Sequence, residues 1–325
     1  MSAPVVTTKT RHLLNVLGPF FGLLFVIGLF CLSSEVRPYF LTGANFKIIL
    51  TQTVIVAIGA LGMTMIIISG GIDLSVGSAV AFTSVVGATL LVKHYSPIAV
   101  IALTLLAGGA IGLINGSIIG GFRMLPFIVT LGMMGVARGA AKWLASNQTV
   151  NPPETPINNI MALVAPEQLF PLPLGVWIAV ALAVLMAVVM RQTIFGRYIF
   201  AIGSNEATAR LCGIRVQLHK ILIYSLAGLF FGLSGLMQLS RLTQGDPTVA
   251  IGLELDIIAA VVIGGASLNG GTGTILGSMI GALIMAVLRN GSNQMGWPTY
   301  MQEIIIGCVI ILAVGLDKLR QTRRM

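Results

Sequence analysis

Ten apolar runs succeed one another along the chain, at roughly residues 13–33, 46–69, 76–92, 98–121, 124–146, 174–190, 219–240, 256–268, 273–289 and 302–316. A helix crossing the hydrocarbon core of a bilayer needs about 20 such residues, and about ten of them would consume most of the chain. A water-soluble fold cannot hide that much apolar sequence, because only 9 % of the 325 residues are charged while 56 % are hydrophobic. An average soluble domain carries about 25 % charged residues. Ordinary soluble enzymes, disordered chains and disulfide-stapled modules are excluded. The expected fold is all-α, a polytopic integral membrane protein occupying residues 1–325 as a single domain, with about ten (8–10) transmembrane helices.

The few charges orient the chain. Nineteen Lys and Arg against ten Asp and Glu give a net charge of +9. In a soluble protein that excess would invite a test for nucleic-acid binding. Here no nucleic-acid partner is expected, and the excess reads as basic residues held on the cytoplasmic side of a lipid membrane. Residues 1–12, with Lys9 and Arg11, form a short cytoplasmic N-terminus, and the run behind them is too long for a signal peptide. Segment 147–173 carries Glu154 and Glu167 and no Lys or Arg, and is expected outside. Segment 191–220 carries Arg191, Arg197, Arg210, Arg215 and Lys220, and is expected inside. The tail 317–325, with Lys318, Arg320, Arg323 and Arg324, is inside as well. Ten crossings satisfy every assignment.

Two runs look interrupted. Residues 256–268 would make about 20 Å of helix where about 30 Å is needed. Gly70–Gly77 and Gly264–Gly271 align without a gap, each with Gly-Gly at the start, Leu fifth and Gly last. Paired glycine-interrupted helices, one in each half, are the pattern of an internal repeat, which in transporters points to the substrate path. Two independent Gly-rich turns would read the same way. Path candidates are Gly70, Gly71, Asp73, Ser75 and Gly77 with Gly264, Gly265, Ser267, Asn269 and Gly271. Gly108, Gly112, Gly116 and Gly120 recur every fourth residue, as do Gly273, Gly277 and Gly281, with Gly228 and Gly232 as a shorter case. Such spacing lets helix backbones approach, and packing within one subunit is preferred to a subunit contact.

No catalytic set is visible. Gly265 to Thr272 resembles a phosphate loop, but Gly271 stands where its lysine must be. His12, His94 and His219 are unclustered, and Cys31, Cys212 and Cys308 show no paired spacing, so no metal site is expected. Asp73 interrupts an apolar stretch, where an ionisable group is costly and functional by default; it or Ser75 also suits the cap of the following helix. Glu254 and Asp256 suit a helix start. Arg138 and Lys142, beside Trp143, are read as snorkelling to the interface rather than lining a pore. In 191–220, Asn205 is a cap, Glu206 to Leu211 a short helix and Gly213 its stop. Such a helix suits docking on a soluble partner, although a plain basic loop would also obey the charge rule.

Three motifs together resemble a known family. They are Gly70–Gly77 (GGIDLSVG), the loop Gly196 to Ile214 (GRYIFAIGSNEATARLCGI), and Glu254 to Gly265 (ELDIIAAVVIGG) followed by Gly270–Gly273. Their order and spacing resemble the permease subunits of ribose-type ABC sugar importers from about residue 13 to 317. Small departures exist: the family loop usually has a small pair such as Ala-Ala where this chain has Ala207-Thr208-Ala209. The resemblance implies a membrane-spanning dimer in a bacterial inner membrane, a homodimer as the simplest form. It also implies a cytoplasmic ATP-binding subunit that carries ATP and magnesium, and a periplasmic sugar-binding protein. This chain would bind no cofactor and catalyse nothing. Asn205, Glu206, Ala209, Gly213 and Ile214 would form the element that meets the ATPase, and the two glycine loops would border the path. The external segment 147–173 is long enough to meet the binding protein. Alternatives are a branched-chain amino acid or other small-solute ABC permease and, more remotely, an ion-coupled transporter.

Overall fold

The computed structural model describes residues 8–163 and 171–322. Pro166, Glu167, Arg323 and Arg324 lie outside the described residues, as do residues 1–7. Among the described residues the regular structure is almost entirely helical. In order, α1 is Thr8–Cys31, α2 Arg37–Phe40, α3 Gly43–Ile68, α4 Val76–Val92, α5 Pro97–Phe122 and α6 Pro126–Leu144. A single 3-10 turn, Pro156–Ile160, precedes α7 (Leu174–Gln192), α8 (Ile194–Ser204), α9 (Glu206–Leu211) and α10 (Val216–Leu242). The chain finishes with α11 (Leu253–Ile263), α12 (Ile275–Gln294) and α13 (Thr299–Thr322). The β structure among the described residues is one isolated antiparallel bridge, Val150 to Gly245.

Five helices, α3, α5, α7, α10 and α12, are long and apolar enough to cross a membrane by themselves. The other runs make shorter or more polar helices. The 256–268 run is the extreme case, since its helix α11 has 11 residues, about 16 Å. Part of the polarity of 191–220 also proves helical. Ile194–Ser204 buries Gly196, Ile199 and Ile202, a helical face that a reading of its charges overlooks.

Helix α3 is the hub. From Thr53 to Ile68 every residue is buried, and a helix apolar on all sides must be surrounded by protein. Helices α7, α10, α11 and α12 pack around it. Two polar ties cross these contacts: Thr64 Oγ1 donates to Ser278 Oγ at 2.7 Å, and Ser234 Oγ donates to the Ile55 carbonyl at 3.1 Å. The perimeter is apolar as well, with Phe21, Leu24 and Phe25 of α1 and Val184 of α7 exposed as a lipid-facing surface demands.

The glycine stripes do what their spacing indicated. Gly108, Gly112, Gly116 and Gly120 form the face of α5 that lies against α10. A β-carbon on Gly108 would stand 2.6 Å from the Cα of Gly232, and one on Gly116 2.8 Å from the Cα of Ile221. Gly112 and Gly228 face each other in the same seam, and Gly277 and Gly281 of α12 admit the backbone of Gly264 and Ala260. Gly273 precedes α12 rather than extending its stripe.

Candidate functional site

Helix α3 stops because Gly70 turns left-handed, at φ +82°. The Gly71 and Gly70 amides donate back to the Ile66 and Ile67 carbonyls, both at 2.9 Å, a glycine-terminated C-cap. Beyond it the chain enters α4 through a buried polar knot. Asp73 is 1 % exposed, and its Oδ1 accepts from the Ser75 amide at 2.8 Å and the Ser75 hydroxyl at 2.6 Å. The capping reading is not realised: the N-cap residue of α4 is Ser75, which makes no side-chain cap hydrogen bond, and Asp73 instead orders the turn before the helix. Asn115 of α5 completes the knot, with Nδ2 donating to Asp73 Oδ2 at 3.3 Å and to Ser75 Oγ at 3.1 Å. The Leu74 amide donates to Thr130 Oγ1 of α6 at 3.1 Å. The first turn of α4 is tight as well: a β-carbon on Gly77 would lie 2.5 Å from the Ala250 carbonyl.

Helix α11 ends in the same kind of cap. The Gly265 amide donates to the Val262 carbonyl at 2.9 Å and the Ala266 amide to Val261 at 3.1 Å, with Gly265 at φ +91°. The turning glycine is therefore the first of the pair at Gly70-Gly71 and the second at Gly264-Gly265. Matched by their caps, the two breaks sit one residue out of the gap-free alignment, and their loops, 69–75 and 264–274, differ in length. Ser267 starts a compact turn in which its amide donates to the Thr272 carbonyl at 3.1 Å, and Asn269 donates its amide to Ser267 Oγ at 3.3 Å.

The two breaks touch. The Gly271 amide donates to the Ile68 carbonyl at the end of α3, and Gly203 of α8 is wedged against both. Next to that wedge sits the predicted short helix. Asn205 caps α9 by accepting from the Thr208 amide at 2.9 Å. Gly213 at φ +83° closes it, with the Ile214 amide donating to Ala209 at 3.1 Å. Its residues divide into two sets. Ala209, expected at the partner, is 4 % exposed and packs on Ile202 and Val216, with Ile214 alongside, so it anchors the helix rather than projecting from it. Glu206 pairs with Arg210 at 2.8 Å and with Lys220 of α10 at 2.6 Å. Burial pushes the Glu206 carboxyl up, but the Lys220 and Arg210 contacts outweigh it and hold the group below the usual carboxylate range. The outward apolar residue is Leu211, 89 % exposed, which the sequence reading passed over.

Three polar residues play roles that local sequence did not assign. Arg138 does not snorkel: its Nη1 donates to the Pro247 carbonyl at 2.9 Å and the Val249 carbonyl at 2.6 Å, tying α6 to the segment before α11. Asp256 belongs to the first turn of α11, as expected, and its Oδ2 also accepts from Arg289 Nε of α12 at 2.8 Å. Beside that pair lies a cavity of about 380 Å³ between α3, α10, α11, α12 and α13, and none of the sequence-predicted path residues lines it. Residues 147–163 pack on their own chain: Ser240 Oγ donates to the Ile157 carbonyl at 2.6 Å and accepts from the Met161 amide at 3.0 Å.

A bundle of long apolar helices with capped breaks, lipid-facing walls and one short exposed helix fits a membrane permease component. Residues 45–314 match the family described as branched-chain amino acid transport system / permease component, and the chain belongs to that family. It is 40 % identical over 300 residues to the ribose import permease protein RbsC of Escherichia coli K12, covering 92 % of this chain and 94 % of that one. It is 39 % identical over 302 residues to the ribose import permease protein RbsC of Bacillus subtilis, covering 93 % and 92 %. It is 36 % identical over 304 residues to the L-arabinose ABC transporter permease protein AraH of Azospirillum brasilense, covering 91 % and 86 %. No solved structure matches.

Proposed function

We propose that this chain is the membrane permease subunit of an ABC importer that carries a monosaccharide, a ribose-like pentose or related sugar, across a bacterial inner membrane. The observation that carries the reading is the 40 % identity to a ribose import permease over 92 % of the chain. A cytoplasmic ATP-binding subunit docks on the outward face of α9, where Leu211 is exposed. A soluble binding protein delivers the sugar to the side that carries residues 147–163. The chain binds no cofactor and catalyses nothing; ATP and magnesium belong to the partner. Two copies form the membrane channel.

Ten crossings, by α1, α3 to α7 and α10 to α13, leave both termini cytoplasmic, and the charge distribution supports that orientation. The repeat is retained in a weaker form, as two helices that end in the same glycine-terminated cap. Gly70, Gly71, Asp73, Ser75 and Gly77, with Gly264, Gly265, Ser267, Asn269 and Gly271, border the path and link it to α8 and α9. Movement of the docking helix on ATP binding reaches α3 and α11 through Gly203. A sugar is favoured over a branched-chain amino acid because the similar permeases of 36–40 % identity are named for ribose and L-arabinose.

Uptake into proteoliposomes tests the proposal. The chain with its ATPase and binding protein accumulates labelled sugar only with ATP, whereas the chain alone accumulates none. Substantial uptake by the chain alone would overturn it.

A further inference from the structure

We infer that the cavity between α3, α10, α11, α12 and α13 is a sugar-binding site inside each subunit, where Asp256 accepts from and Arg241 donates to the hydroxyls of a cyclic, neutral monosaccharide. The inference rests on the importer reading above and names the residues by which the path holds its cargo. Four observations carry it. The cavity, about 380 Å³, falls in the range of small-molecule sites, which run from about 300 to 1,000 Å³. Its polar lining includes Gln52, Gln238, Arg241, Asp256, Arg289 and Asn293, planar groups that donate or accept in pairs, as adjacent sugar hydroxyls require, and apolar residues such as Ile55, Val56 and Met285 complete the wall. Asp256 is 2 % exposed, and both contacts from Arg289 fall on Oδ2, so Oδ1 is a buried acceptor without a partner. A buried carboxylate oxygen left unpaired is costly, and a ligand hydroxyl relieves that cost. Arg241 makes no hydrogen bond or ion pair among the described residues, so its donors are free.

The site also has an approach. Gln52 and Arg241 line a second cavity, about 330 Å³, whose other walls include Asn158, Met161 and Leu163. Those residues belong to the segment that would meet a binding protein. Gln52 and Arg241 therefore stand between the delivery side and the inner cavity, in position to receive a sugar and pass it on. The Asp256–Arg289 pair holds α11 to α12, so occupation of Oδ1 bears on the packing of a half-length helix whose other end touches α3 through the Gly264–Gly271 loop.

The experiment uses the reconstituted importer, this subunit with its ATPase and binding protein, and labelled D-ribose, L-arabinose and D-galactose. Wild type takes up at least one of them in an ATP-dependent way. R241A and Q52L reduce that uptake roughly tenfold or more, while ATP hydrolysis stimulated by the loaded binding protein and the size-exclusion profile stay near wild type. R241K, which keeps a charge but loses the fork of donors, recovers only part of the rate. Wild-type uptake per ATP in both R241A and Q52L would overturn the site and leave the importer reading intact. Stronger competition by D-galacturonate than by D-galactose would overturn the neutral-sugar assignment. Failure of the wild-type complex to move any of the three sugars would overturn the importer reading and the site with it.

Discussion

The backbone amide of Gly271 donates to the carbonyl of Ile68 at 2.8 Å, which joins the end of α3 to the loop between α11 and α12. The carbonyl it satisfies is one of the last of α3, which no intrahelical amide reaches. Gly203 sits in this contact with its Cα 4.0 Å from where a Gly70 β-carbon would stand. A β-carbon on Gly203 would collide with the Ile68 carbonyl and lie 2.6 Å from the Gly271 nitrogen. Backbone atoms cannot step aside as a side-chain end can. Gly203→Ala is therefore expected to spread the two breaks and abolish ATP-driven uptake while α9 still binds the ATPase. Co-purification with the ATPase and uptake by the same preparation check both halves.

The seam between α5 and α10 makes a stability prediction. A leucine at Gly112 would drive its side chain into the backbone of Tyr224 and Gly228, at a cost above about 3 kcal/mol. Gly112→Leu should fail to yield a monodisperse subunit. A β-carbon on the exposed Gly28 of α1 meets nothing within 4 Å, and Gly28→Leu should change stability by less than about 0.5 kcal/mol. Thermal unfolding followed by size-exclusion separates the two cases.

Arg138 bridges α6 to the chain ahead of α11 through the Pro247 and Val249 carbonyls. Hydrogen bonds from charged donors contribute about 1.5–3 kcal/mol each when buried, and the half-buried setting reduces that figure. Arg138→Met should insert normally yet release residues 246–252, with uptake reduced roughly tenfold. Accelerated hydrogen exchange confined to that segment is the structural readout.

Glu206 ties α9 to α10 through Lys220, with its carboxyl held below the usual range. A group whose folded pKa is depressed stabilises above its unfolded value and loses that contribution as pH falls through the folded one. The melting temperature of wild type should exceed that of Glu206→Gln at pH 7, and the difference should close below about pH 4. The group is 42 % exposed, so the effect is small and salt should shrink it. A difference independent of pH would assign the stabilisation to packing.

Much of the fold was legible because it depends on local composition. The run lengths called for a bilayer, the four-residue glycine spacing of α5 named a packing face, and Asn205 and Gly213 bounded α9 to the residue. Capping and periodicity act within one turn or one helix, so the sequence carries them openly. The breaks were legible as glycine pairs but not in register, because which glycine turns left-handed depends on where each helix runs out of packing. Helix α8 was overlooked because the basic charges of 191–220, Arg197 of α8 among them, masked an apolar face at Gly196, Ile199 and Ile202. Leu211 was missed because one exposed leucine in a basic loop has no periodic signature.

By itself the sequence determined the solvent of this protein, most of its apolar helices, the glycine face of α5 and the bounds of α9. The tertiary structure alone decided which polar groups meet. Asn115 reaches Asp73 from a different helix, Arg289 finds Asp256, Arg138 reaches the carbonyls before α11, and Gly271 closes on Ile68. The reason is physical. In an apolar chain the few polar groups can be satisfied only by one another, and helices distant in sequence supply the partners.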